Sequence, residues 1–178
     1  MPRTRYKVFT QNCPHFLSSS IVNWIPLFSD PDQVDILLSS LRFLHETQRL
    51  RLHGYVIMEN HFHLVASSPL FDIDIGSLKS YSAKGFLSLL ESKKHLTRTD
   101  ELKWRKLRHK EKQDYQVWQE GYHPQQITSH EMLAQKLDYI HNNPVRRGYV
   151  DEPGHWRYSS YRNYNEMEGV LPIEAIPL

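Results

Sequence analysis

HGYVIMENHFHLVAS, residues 53–67, reads as two strands, Tyr55–Met58 and His61–Ala66, joined by a tight turn at Glu59-Asn60. Alternation along the second strand puts His61, His63 and Val65 on one face and Phe62, Leu64 and Ala66 on the other. The first set carries polar chemistry and the second is core-like, so the hairpin belongs to a sheet with two different faces.

Outward from the hairpin, the pattern alternates between extended and helical. Residues 14–28 (PHFLSSSIVNWIPLF) are β-branched, aromatic and bounded by prolines, which predicts extended chain. A helix over about 31–49 follows, with Asp30 as N-cap, Pro31 at the first helical position and Gln33 at N3. Its apolar stripe is Val34, Leu37, Leu38, Leu41 and Leu44. A second helical pattern covers about 75–92 through Leu78, Phe86, Leu89 and Leu90, and a short strand is expected near Tyr115–Trp118. The last clear helix opens on a capping box, Thr128-Ser-His-Glu131, buries Leu133, Leu137 and Ile140, and is stopped by Pro144. The order β-α-β-β-α-β-α predicts an α+β fold, a small antiparallel sheet with helices packed on one face. One domain is expected over residues 1–165, with an apolar, proline-bearing tail at 166–178 that either docks or stays loose.

The 178 residues match one domain, and 39% hydrophobic with 24% charged residues excludes collagen, coiled coil and wholesale disorder. A single cysteine, Cys13, excludes an internal disulfide and a cysteine-rich zinc site, which makes a cytoplasmic location the default. The longest uncharged run, residues 8–29, is too polar to span a bilayer, and no secretory leader is expected. Net charge is +2, but residues 93–112 hold nine Lys/Arg and three Asp/Glu, a local +6 that leaves −4 for the rest. Such a stripe fits a polyanion such as nucleic acid, and equally a solvated face without a ligand.

Two imidazoles two residues apart on a strand point the same way and so can share a metal ion through neutral ring nitrogens. His-x-His by itself is common, and a metal would need a third donor from elsewhere. Tyr139 is the second signal. It sits off the apolar stripe of its helix, with Lys136 and Asn143 on the same flank. A phenolate is a competent nucleophile once a base or a cation assists it. Other chemistries fall away: His45-Glu46 lacks a second histidine at position 49, Cys13 has only His15 nearby, and no phosphate-binding glycine loop or nucleophile elbow occurs.

MENHFHLVA (58–66) and LDYIHNNPVRRGYV (137–150), supported by WQEGYH (118–123) and WRYSSY (156–161), resemble the REP-associated tyrosine transposases of the HUH nuclease superfamily. The resemblance covers roughly residues 6–165. It implies a ferredoxin-like fold of HUH-endonuclease type and cleavage of single-stranded DNA bearing a hairpin, without a nucleotide cofactor. It also implies Tyr139 as the nucleophile and His61, His63 and Asn143 as ligands of Mg²⁺ or Mn²⁺. One departure is Glu59, where relatives usually carry proline; it is expected to be a solvated turn residue.

The mechanism implied is an in-line attack that yields a 5′-phosphotyrosyl enzyme and a free 3′-hydroxyl. Lys136, Arg146 and Arg147 are candidate DNA contacts beside the tyrosine. Arg105, Lys106, Arg108 and Lys110, with Trp104 as a stacking platform, and the arm residues Arg3 and Arg5 are further candidates. Trp156 and Tyr158 are expected in the core, and His53, His123, His141 and His155 are expected to be structural. Two rival readings remain at this level: a non-catalytic hairpin-binding protein on the same scaffold, which would tolerate Tyr139→Phe, and a metal-dependent phosphoester hydrolase that uses only the histidines.

Overall fold

The computed structural model describes residues 12–94, 99, 102 and 115–177. Arg3, Arg5, Trp104, Arg105, Lys106, Arg108 and Lys110 lie outside the described residues.

The elements are β1 (His15–Ser20), α1 (Pro31–Glu46), β2 (Arg51–Ile57), β3 (His61–Ser67), α2 (Phe71–Ser92), β4 (Gln125–Gln126), α3 (His130–His141), α4 (Asn143–Arg146) and α5 (Tyr161–Tyr164), with short 3₁₀ turns between. The sheet order is β2-β3-β1-β4 and every pairing is antiparallel. A β-α-β-β-α-β chain in this order is the ferredoxin-like arrangement that the resemblance implied.

The hairpin forms as read, with β2 longer than expected, and its two-sided pattern organises two cores. Leu17, Phe62, Leu64 and Ala66 face α1 and α2, where Leu37, Leu41, Phe86 and Leu90 close one hydrophobic cluster. Val56, Met58 and Val65 face the other way and pack under Leu133, Leu137 and Ile140 of α3. Helices therefore cover both faces of the sheet, where one covered face was expected. The period of two demands it, because Val56 and Val65 are apolar and fully buried on the second face. The closest approach is at Gly54, where an added Cβ would stand 2.6 Å from Leu137 Cδ2.

Several boundaries moved. The extended region ends at Ser20, and 3₁₀ turns at Val22–Trp24 and Leu27–Ser29 occupy its second half. Asp30 caps α1 by accepting from Asp32 N, but Gln33 does not complete the box: it is buried and donates to Phe86 O. Tyr115–Trp118 is not a strand of its own. Trp118 makes a single antiparallel bridge to Ile21, and the fourth strand is the two-residue β4, too short to show a period. Ser129, not Thr128, caps α3, accepting from Met132 N at 3.1 Å. The chain then breaks after His141 and re-enters helix at Asn143, with Pro144 in the first turn of α4.

The tail docks. Leu171 is buried in the α1/α2 core, and Glu174 N donates to Leu52 O on β2. His53 donates Nδ1–H to Glu174 O, and Ser160 N donates to Tyr55 O. Residues 158–160 and 174 thus cover the outer edge of β2, which would otherwise present unpaired backbone groups. Trp156 and Tyr158 are half-buried against the two clusters, while His155 and His123 are exposed.

Candidate active site

The open end of the second face carries His61 and His63 on β3, and α3 and α4 bring two further side chains to them. Asn143 donates Nδ2–H to His63 Nε2 at 3.3 Å. The Tyr139 ring stands edge-on to His63 with centroids 5.3 Å apart, and the two histidine rings are 4.9 Å apart. His61, His63 and Asn143 are buried, whereas Tyr139 is 39% exposed. A phenol at the surface beside a buried polar pair is open to a large substrate.

The outer nitrogens of both imidazoles are held. His61 donates Nδ1–H to Asn60 Oδ1 at 2.7 Å, and His63 Nδ1 hydrogen bonds Ser18 Oγ at 2.5 Å. Because Nε2 of His63 accepts from Asn143, its proton sits on Nδ1, and in both rings the hydrogen-bond network leaves Nε2 as the unprotonated nitrogen. Burial pushes His61 down to about 4 and His63 down to about 3. The neighbouring His61 and Arg147 add to the effect at His63, while Glu59 opposes it at His61. Both rings are neutral at pH 7, the form that ligates a metal.

No group of three or more His, Cys, Asp or Glu able to hold a metal occurs among the described residues. The donor set that does converge is two imidazoles and an amide. Asn143 Oδ1 is buried without a hydrogen-bond partner among the described residues. A buried, orphaned amide oxygen on the residue that touches His63, beside two neutral imidazoles, fits a cation once the amide turns that oxygen in place of Nδ2.

Around this centre lie the other residues singled out from sequence. Lys136 Nζ is 4.7 Å from the centroid of Phe16, and Phe16 stacks on His63 and meets Tyr139 edge-on. Arg146 lies over the Tyr139 ring at 5.6 Å and pairs with Asp138 at 3.2 Å. Arg147 reaches the opposite side, 3.9 Å from Glu59 Oε1. Glu59 is therefore not a solvated turn residue. Its side chain is 20% exposed, Tyr149 hydrogen bonds to it, and it ties the β2–β3 turn to the segment just after α4. Gly148, at φ +73°, makes the reversal that lets both Arg147 and Tyr149 face Glu59. Of the basic stripe, Lys93 is described, and it pairs with Asp30 and Asp32 at the start of α1.

Sequence reading missed Ser18, Phe16, Asn60 and Trp24. Asn60 was detectable as the neighbour of His61. Ser18 lies in a run of three serines, and only the pairing of β1 with β3 shows which one faces His63.

No family model matches the chain. A curated protein of Haemophilus influenzae, named a REP-associated tyrosine transposase, is 31% identical over 105 residues, 59% of this chain and 55% of that protein's length. The chain thus spans about half the length of the curated relative it matches. The solved structure of a REP-associated tyrosine transposase bound to a REP hairpin superposes with TM-score 0.65 at 16% identity, over 100% of this chain and 94% of that one. A transposase structure from Deinococcus radiodurans gives TM-score 0.45 at 21% identity, over 80% of this chain and 97% of that one. In sequence over part of its length, and in fold over all of it, the chain is similar to REP-associated tyrosine transposases.

Proposed function

We propose that the chain is a divalent-metal-dependent endonuclease and strand transferase that acts on single-stranded DNA beside a hairpin. The observation that carries this reading is the convergence on His63 of Tyr139, Asn143 and His61 from α3, α4 and β3. A binding protein has no need of a neutral histidine pair, an orphaned amide oxygen and an exposed phenol in one place.

Nε2 of His61, Nε2 of His63 and Oδ1 of Asn143 would hold Mg²⁺ or Mn²⁺. When bound, the ion supplies charge to polarise the scissile phosphate and to offset the leaving oxygen. Because all three donors are uncharged, the site keeps the full positive charge that an anionic strand requires. Tyr139 Oη forms the new bond to phosphorus as the bond from phosphorus to O3′ breaks. The phenolic proton passes to solvent, and the 3′-oxygen takes one up. A 5′-phosphotyrosine and a free 3′-hydroxyl remain. The phosphodiester's energy is kept in the tyrosyl ester, so a second 3′-hydroxyl can reverse the step and join strands.

Arg146 stands beside the nucleophile, and Arg147 adds positive charge felt at both imidazoles. Lys136 guards the Phe16 side. Arg3, Arg5, Trp104, Arg105, Lys106, Arg108 and Lys110 are proposed to extend the DNA path. The hairpin substrate class is carried over from the relative solved with a REP hairpin, and the work site is proposed to be the cytoplasm; among the described residues no helix is long and apolar enough to cross a membrane.

The test uses hairpin oligonucleotides labelled 3′ of the candidate cut, incubated with Mn²⁺ and run on a denaturing gel. An SDS-stable labelled adduct is expected with the wild-type chain and not with Tyr139→Phe or His61→Ala. Binding without any adduct across a broad hairpin panel would make the chain a non-catalytic binder; hydrolysis without an adduct would make it a metal hydrolase.

A further inference from the structure

We infer that Trp24 is a nucleobase platform whose indole stacks a base on the 5′ side of the scissile phosphate; this rests on the function proposed above. Trp24 is 54% exposed, and its ring meets His61 at 5.9 Å in an edge arrangement. The other described tryptophans are used up by packing: Trp118 is buried and Trp156 is half-buried, and each donates its indole N–H to a backbone carbonyl.

The presentation of Trp24 is rigid. Asn23 and Trp24 both adopt left-handed backbone, φ 53° and 59°, which asparagine tolerates and an indole-bearing residue rarely takes up. Hydrogen bonds hold the segment. Ile21 N donates to Asn60 O and Val22 N to Val117 O, both at 2.8 Å, while Trp24 N donates to Ile21 O at 3.1 Å. Asn60 Nδ2 then donates to Trp24 O at 3.3 Å, and the same Asn60 accepts from His61 through Oδ1. One side chain therefore anchors both the His61 ring and the backbone that carries the indole. Relaxing the two left-handed residues would release the ring, so the fold holds an exposed indole at a fixed place beside the candidate ligand.

The contact order gives the direction. Trp24 touches His61, His61 touches His63, and His63 touches Tyr139, at centroid steps of 5.9, 4.9 and 5.3 Å. Trp24 thus adjoins His61 and Tyr139 adjoins His63, one aromatic at each histidine of the pair. In an in-line displacement the entering and leaving oxygens lie on opposite sides of phosphorus. With Tyr139 entering from one side, the nucleotide that carries the leaving 3′-oxygen lies towards the other, where the indole is open. Stacking suits that place because every base has a π-face, so the strand is held without constraining its sequence.

The test is equilibrium binding, in a Tyr139→Phe background with Mn²⁺, of hairpin oligonucleotides whose single-stranded flank carries one abasic nucleotide at successive positions. Trp24→Ala is expected to weaken binding of the intact oligonucleotide about tenfold, equally for all four bases, and Trp24→Phe to restore most of it. One abasic position on the 5′ side should cost the Trp24 protein about the same factor and cost Trp24→Ala nothing further. Thermal melting of both variants checks the fold. Unchanged binding by Trp24→Ala, or an abasic profile that is the same with and without the indole, overturns the platform. A coupled abasic position on the 3′ side overturns its placement. If the Tyr139-bearing chain forms its adduct while Trp24→Ala binds normally, the platform fails alone; if no hairpin binds and no adduct forms, the proposed function fails with it.

Discussion

The amide nitrogen of Asn143 lies 3.3 Å from Nε2 of His63, a contact between residues 80 apart in sequence. It brings the amide of Asn143 onto the imidazole pair of β3, the set proposed above to hold the metal ion. Asn143→Ala is expected to weaken Mn²⁺ binding tenfold or more, and Asn143→Asp to recover it, because a carboxylate supplies an oxygen at the same place together with a negative charge. The added charge should weaken binding of single-stranded DNA. Titration calorimetry with Mn²⁺ and with a hairpin oligonucleotide reads both, and equal Mn²⁺ affinity for wild type and Asn143→Ala would remove the residue from the site.

Ser18 fixes the other end of the same imidazole. Ser18→Ala removes the partner of His63 Nδ1 while leaving every proposed ligand in place. Outer partners of ligating histidines typically account for about 10–100-fold in metal affinity, so a loss of about tenfold is expected with little change in thermal stability of the metal-free protein. No loss in the same calorimetric titration would mean that β1 contributes only packing.

Gly54 is where α3 presses on β2. A Cβ there would meet Leu137 Cδ2 at 2.6 Å and Ile140 Cδ1 at 3.1 Å. Gly54→Val should destabilise the fold by roughly 1–3 kcal/mol through overpacking. It should also shift the helix that carries Tyr139, lowering adduct formation more than DNA binding. Urea unfolding and the denaturing gel, run on the same preparation, separate the two effects.

Acid should destabilise the metal-free protein. Burial holds His61, His63 and His141 at about 4, 3 and 4, against 6.5 for a free imidazole. Between pH 6.5 and about 4 the unfolded chain takes up protons that the folded chain refuses, so stability is complete above pH 6.5 and falls with pH through that window. Each histidine contributes on the order of 1.4 kcal/mol per pH unit there. Urea midpoints at pH 7, 6 and 5 should fall progressively; a flat profile would mean that the rings are less buried than described. Saturating Mn²⁺ should raise stability at pH 7 and lose that effect as the ligands protonate.

Local sequence determined the elements with strong periods. The stripes of α1 and α3, the Asp30 cap and the alternation of β3 are all written within a few residues of themselves, and each one forms as read. His61 and His63 share a face because a strand has period two, whereas Tyr139 and Asn143, expected one turn apart on a single helix, sit on α3 and α4 on either side of the break at Asn142. Tertiary structure decided the rest. Whether Val56 and Val65 face water or a helix depends on where α3 docks, which is why a sheet covered on both faces was read as covered on one. Ser18 could be chosen among three serines only by the register of β1 on β3. Glu59 looked like a solvated turn because its partners, Arg147 and Tyr149, arrive from about 90 residues away. A period is a property of a short segment and survives in the sequence. A partner across the sheet is a property of packing, and only the folded chain chooses it.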